Sequence, residues 1–146
     1  MTTAIAARAV VRVTRRLIAT AATATLVGCQ SHPVYRQPPD DSFTTSTEQM
    51  QDGGVVTAVP SAHVTRDFFK ATGVQPLVGR LFLDGEYTGE ATRAVVLSHD
   101  LWAAHFESSP NVIGRNIGLD GHAAVVVGIL PTGFNIPEGT QLWIPK

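Results

Sequence analysis

Ser98, His99 and Asp100 are the residue types of a nucleophile, a base and an acid in a row. Triad members converge from separate positions, whereas adjacent residues on a helix do not face one another. Ser98 therefore reads as a helix cap. The histidines His32, His63, His99, His105 and His122 show no HExxH or other ligand spacing, and no acid is clearly placed to join them. No metal and no cofactor are expected. Asp84, Glu86, Glu90 and Asp100 could supply an acid/base pair, but three of them sit in a glycine-containing loop, where solvation accounts for them. The glycines form neither GxGxxG nor GxxxxGK[ST], so no phosphate cradle is visible. Trp102, Trp143, Phe106 and Phe134 could stack a ligand, but core packing explains them better. The expectation is a non-catalytic chain, not an enzyme.

The single cysteine, Cys29, rules out an intramolecular disulfide and a multi-cysteine metal site. Arg8, Arg12, Arg15 and Arg16 precede a short apolar run, Leu17 to Gly28, and Cys29 follows small residues. A basic start, a short apolar stretch and a small-residue cut site describe a signal peptide over residues 1–28. The run is too short to span a bilayer, which needs about 20 apolar residues. Leu26-Val27-Gly28-Cys29 resembles a bacterial lipobox. That resemblance implies lipidation at Cys29, and so membrane anchoring on the extracytoplasmic side. An uncleaved amphipathic N-terminus is the alternative, and Thr20, Thr23 and Thr25 in the apolar run favour it. Residues 29–54 are rich in Pro, Ser, Thr, Asp and Gly, with few apolar side chains, and read as a flexible tether.

Beyond residue 28 the chain holds seven Lys and Arg against twelve Asp and Glu. Such a mildly acidic body argues against nucleic-acid binding, which needs a basic face. Hydrophobic residues reach 44%, enough for a core within one domain of ordinary size.

Coarse elements follow from pattern. Val55 to Val59 reads as a short strand ended by Pro60. Thr65 is a candidate N-cap for a two-turn helix that ends at Gly73. Ala94 to Leu97 is a buried strand, and Ser98 caps a helix over His99 to Phe106. Asn116 to Leu119 and His122 to Leu130 flank Asp120-Gly121, the sequence of a type I′ hairpin. The second of these strands is apolar on both faces and should be central. Gln141 to Pro145 looks like a final strand. The fold class expected is α+β, with short helices packed on a small, mostly antiparallel sheet.

Three blocks carry a family resemblance. The first is Val64-Thr65-Arg66-Asp67-Phe68-Phe69-Lys70-Ala71-Thr72-Gly73-Val74. The second is Val95-Val96-Leu97-Ser98-His99-Asp100-Leu101-Trp102. The third runs from Val112-Ile113-Gly114-Arg115 through Val125-Val126-Val127-Gly128-Ile129-Leu130-Pro131 to Leu142-Trp143-Ile144-Pro145. In order and spacing they resemble the MacB-like periplasmic core domain of ABC-transporter permeases, above all the duplicated permeases of acidobacteria. The resemblance implies a non-catalytic domain outside the cytoplasmic membrane. Such a domain contacts its counterpart and, in MacB itself, an adaptor, and it transmits motion driven by an ATPase. An ABC permease subunit and a separate ATPase are the implied partners. Residues 55–146 would be the front part of that domain. The competing readings are a stand-alone ligand-binding lipoprotein and a non-functional permease fragment, the latter expected to leave an open sheet edge.

Overall fold

Period-two alternation of side chains organises most of the chain, and strands dominate the computed structural model, which describes residues 33–89 and 91–146. Cys29, the signal-peptide reading and His32 lie outside the described residues, as does Glu90. Seven strands occur in chain order: β1 (Phe43–Asp52), β2 (Val55–Val64), β3 (Val78–Gly79), β4 (Arg93–Leu97), β5 (Asn116–Leu119), β6 (His122–Ile129) and β7 (Leu142–Pro145). Helix α1 (Phe68–Thr72) lies between β2 and β3, and α2 (His99–Phe106) follows β4.

The strands form one sheet in the order β3-β6-β4-β7-β2-β1-β5, and an added β5–β6 pairing closes it into a barrel. The sheet is mixed, with five antiparallel pairings and two parallel ones. β2 runs parallel to β7, and β4 runs parallel to β6, while the other pairings are antiparallel. The β5–β6 pairing gives β5 a second neighbour, while β3 pairs with β6 alone and β5 meets β1 only at Met50 and Gln51.

Alternation splits the apolar residues between two cores. Val95, Leu97, Leu142, Ile144, Val59 and Met50 face one cluster, to which α2 adds Leu101, Trp102 and Phe106. Ala94, Val96, Trp143, Ala62 and Val64 face the other, which α1 covers with Phe68 and Phe69. β6 serves both cores through a register shift. Val95 pairs with Val126 and Val96 with Gly128, leaving Val127 as an extra residue. Such a bulge resets which face the following side chains occupy. Ala124 and Val126 point into the first core, Val127 and Leu130 into the second, and Ile129 into the first again. β6 is central, with β4 on one side and β5 and β3 in succession on the other.

The largest departure from the sequence reading is β1. The tether expected over residues 29–54 is correct for none of Phe43 to Asp52, which pair residue by residue with β2 from Phe43↔Val64 to Asp52↔Val55. A strand buried on one face needs few apolar residues, and here Met50 fills the first core while Phe43 packs on the margin of the second. Gly53 (φ 57°) and Gly54 (φ 87°) turn the chain, as a tight two-residue loop requires. Pro60 does not end β2, which continues to Val64. Its missing N–H would point away from β1, and its carbonyl accepts from Gln141 N at 2.9 Å.

The helices follow their caps. Ser98 Oγ accepts from Leu101 N at 3.1 Å and closes the start of α2. Ser98→Ala is expected to lower stability by about 1 kcal/mol, read as a shift of the urea midpoint at unchanged slope. α1 is shorter than expected. Its N-cap is Asp67, without a side-chain cap bond, and Thr65 contributes only its carbonyl to Phe68 N. Gly73 (φ 75°) ends α1 in the left-handed conformation.

Candidate contact surface

Most of the described side chains nominated for chemistry are engaged elsewhere. Ser98 is 6% exposed and caps α2, while His99 Nδ1 stands 4.0 Å from Asp100 Oδ1 and packs edge-on to Trp102. Asp100 lies in water. His105 Nε2 bonds Thr57 Oγ1 at 3.1 Å, tying α2 to β2. His122 Nδ1 lies 3.1 Å from the Asp120 carbonyl at the β5–β6 turn. No group of three or more His, Cys, Asp or Glu among the described residues has the arrangement of a metal site. Trp143 and Phe134 pack together in the second core, and Trp102 and Phe106 lie in the first. Each indole donates to a backbone carbonyl: Trp102 to Ser109 at 2.9 Å, and Trp143 to Ile136 at 3.0 Å.

The acidic loop is built as a clamp. Glu86 accepts both Arg80 guanidinium nitrogens at 2.8 and 3.0 Å and the Leu83 amide at 2.7 Å. The Arg80 hydrogen bonds hold the Glu86 carboxyl below its usual range, against partial burial that pushes the other way. Asp84 pairs with Arg66 at 3.3 Å, both largely in water, so that pair adds little stability. Tyr87 packs edge-on against Phe82, with Arg66 over its ring at 5.9 Å. Burial first, then the negative charge of Glu86, push its phenol from about 10 up to about 12. Because the folded value is raised, this group favours the fold fully below about pH 10 and loses that contribution as pH rises towards 12. A phenolate absorbance titration is expected to show a late step that Tyr87→Phe removes.

A polar cluster that sequence reasoning missed lies between β1 and β2. The Glu48 carboxylate, in a residue 7% exposed, accepts from Ser46 Oγ at 3.0 Å and from His63 Nε2 at 3.0 Å. Ser46 Oγ lies 2.8 Å from Ser61 Oγ across the ladder. Every member faces the same side of the ribbon, so the cluster satisfies a nearly buried carboxylate. The only available signal was the even spacing of Ser46, Glu48 and Met50, which polar composition concealed.

What stands out from the barrel is the far half of the β1–β2 ribbon. β7 covers β2 only from Ser61 to Val64, and β5 pairs with β1 only at Met50 and Gln51. At the tip, Val55 and Val56 are 60% and 58% exposed. Arg115 bonds both Asp52 carboxylate oxygens, at 2.7 and 3.0 Å, and fixes the tip to the segment before β5. The main apolar cleft, about 420 Å³ between Gly79, Ile113 and Val125 to Val127, is open and brings together few polar groups. Ligand pockets are concave and apolar with converging polar groups, so it lacks their character. Among the described residues, no helix is long and apolar enough to cross a membrane.

Comparison with known proteins agrees with this architecture. The profile of the MacB-like periplasmic core domain matches residues 5–146. The match reaches well upstream of His63, where the sequence resemblance began. Two solved structures share the fold. The extracellular domain of the noncanonic ABC-type transporter YknZ from Gram-positive bacteria aligns with a TM-score of 0.59 and 14% identity, over 71% of this chain and 52% of that one. The periplasmic region of MacB from Actinobacillus actinomycetemcomitans aligns with a TM-score of 0.59 and 19% identity, over 83% of this chain and 52% of that one. The chain thus spans about half the length of these structures. No curated protein matches it.

Proposed function

Since the chain belongs to the MacB-like periplasmic core domain family, we propose that it acts by contact, as an extracytoplasmic module within an ABC-type transport or efflux assembly. The observation that carries this reading is the pinned ribbon. The barrel presents one pair of strands with an exposed tip, whereas the residue types suited to chemistry cap helices, pair charges or fill cores. A permease subunit driven by a separate ATPase is the partner this reading names. The test is capture of the tagged full chain from detergent-solubilised membranes. Co-recovery of an ABC permease subunit is expected, and its absence at matched expression would sink the proposal.

Anchoring is a separate part of the same proposal. Leu26-Val27-Gly28-Cys29 supports a lipidated Cys29, whose acyl chains contribute about 0.8 kcal/mol per buried CH₂. Labelled palmitate should enter the wild-type chain and not Cys29→Ser. Label that persists in the variant would refute lipidation there.

A further inference from the structure

We infer that the rim of the barrel between β4 and β7 binds a small organic phosphate, held by Arg93 and Lys146. The site needs no partner chain, so it stands independently of the contact reading.

Strand register brings the two cations together. β4 and β7 pair antiparallel at Val96↔Trp143 and Leu97↔Leu142. Continued three residues, that register sets Arg93 opposite Lys146. The Lys146 amide donates to the Val64 carbonyl at 2.9 Å, which fixes the backbone there. Side chains two positions apart on a strand share a face. Arg93 continues the row of Val95, Lys146 that of Ile144, and His63 that of Val59, and these three apolar residues belong to the first core. Lys146 Nζ donates to Thr44 Oγ1 at 2.9 Å on the same side, since Thr44 pairs with His63. Beside these groups lies a cavity of about 290 Å³, whose walls include His63, Tyr87, Arg93, Ile144, Pro145 and Lys146.

Like charges directly opposite one another across a sheet are destabilising. Among the described residues, neither Arg93 nor Lys146 has an Asp or Glu carboxylate within 4.0 Å to offset that repulsion. The acids nearby are committed. Glu86, on the cavity wall, gives its oxygens to Arg80 and the Leu83 amide. Glu48 accepts from His63 and Ser46. Asp120, which feels Arg93 only at a distance, accepts from the Gln49 amide at 2.8 Å. Tyr87 stays un-ionised far above neutral pH and adds no negative charge.

The ligand class follows from charge and space. Two cations facing one another suit a phosphate group, whose separate oxygens each accept a charge-assisted hydrogen bond. Apolar walls beside the cations focus their field into the cavity. The cavity is larger than a bare phosphate needs, and Ile144 and Pro145 line it, so the ligand carries a small organic body. The mouth of a barrel is an ordinary place for such a pocket. A soluble phosphate ester and a phospholipid headgroup share this chemistry.

The full chain, in non-ionic detergent, is titrated with glycerol phosphate and separately with short-chain phosphatidylglycerol. Chloride at matched ionic strength is the control, and the His63 ring signals are followed by NMR. Saturable shifts are expected with the phosphates and not with chloride. Arg93→Gln and Lys146→Gln should each weaken binding by about tenfold, the worth of one charge-assisted bond. Arg93→Lys should retain most of the affinity. In chloride, Arg93→Gln should not lower the urea midpoint, because it relieves a like-charge pair. Glu90→Gln, beside the lining residue Gly89, should not weaken binding. Tighter binding of glycerol phosphate would assign a soluble ester, and tighter binding of phosphatidylglycerol a lipid headgroup. Shifts that chloride reproduces, wild-type affinity in both glutamine variants, weakening by Glu90→Gln, or a fall in midpoint with Arg93→Gln would overturn the inference. Permease capture should be the same with and without these variants, which keeps the two claims apart.

Discussion

Trp143→Ala should lower stability by about 3–5 kcal/mol, the largest effect of any single truncation in the chain. Trp143 is fully buried at the middle of β7, between β4 and β2. Its ring packs against Phe134 at 5.5 Å, and its Nε1 donates to the Ile136 carbonyl. Truncation removes the apolar contact, opens a cavity and leaves that carbonyl without its donor. The loss should appear as a large fall in urea midpoint. Trp143→Phe should recover most of the packing but not the hydrogen bond, and should fall between. If both variants lost stability equally, the indole hydrogen bond would matter more than the ring volume.

The second large effect is expected at Gly128. A Cβ there would collide with the Arg80 carbonyl, because the chain leaving β3 crosses directly over β6. The obstacle is backbone, so no rotamer change relieves it. Gly128→Ala should cost about 3 kcal/mol, the upper part of the usual overpacking range. The damage should begin locally. Arg80 N donates to the Val127 carbonyl at 2.9 Å and Leu77 N to Ile129 at 2.7 Å, so hydrogen exchange at these two amides should accelerate first. Gly79→Ala meets the Val127 carbonyl from the other side and adds a positive φ of 74°. It should be no milder.

Local chemistry made several elements readable from sequence. Ser98 followed by an apolar face placed α2 at its observed bounds, because a side-chain cap is a short-range contact. Gly73 ended α1 for the same reason. β4 and β7 announced themselves as short apolar runs. Three features were not readable. Strand β1 is nearly all polar, and a strand with one buried face between polar neighbours resembles a linker until its partner is known. The parallel pairing of β2 with β7 joins residues about eighty positions apart, a choice no local pattern encodes. The Glu48–His63–Ser46–Ser61 cluster depends on that ribbon, so missing β1 concealed the cluster too. The family resemblance was legible from His63 onward, where short apolar and glycine-bearing blocks recur in fixed order. It was illegible upstream, where composition alone was informative.

The extra residue in β6 has a consequence for how this strand tolerates changes of length. Deleting one residue from a buried strand normally turns everything beyond it inside out. At Val127 the ladder already holds one residue more than its partner β4 requires. Removing Val127 would leave Val126 and Ile129 facing inward as they do now, with Gly128 alone between them. Removing Val125 or Val126 instead gives the same chain, because the three residues are identical and consecutive. The valine run from Val125 to Val127 is thus a place in β6 where a codon can be lost and the inward-facing side chains stay inward.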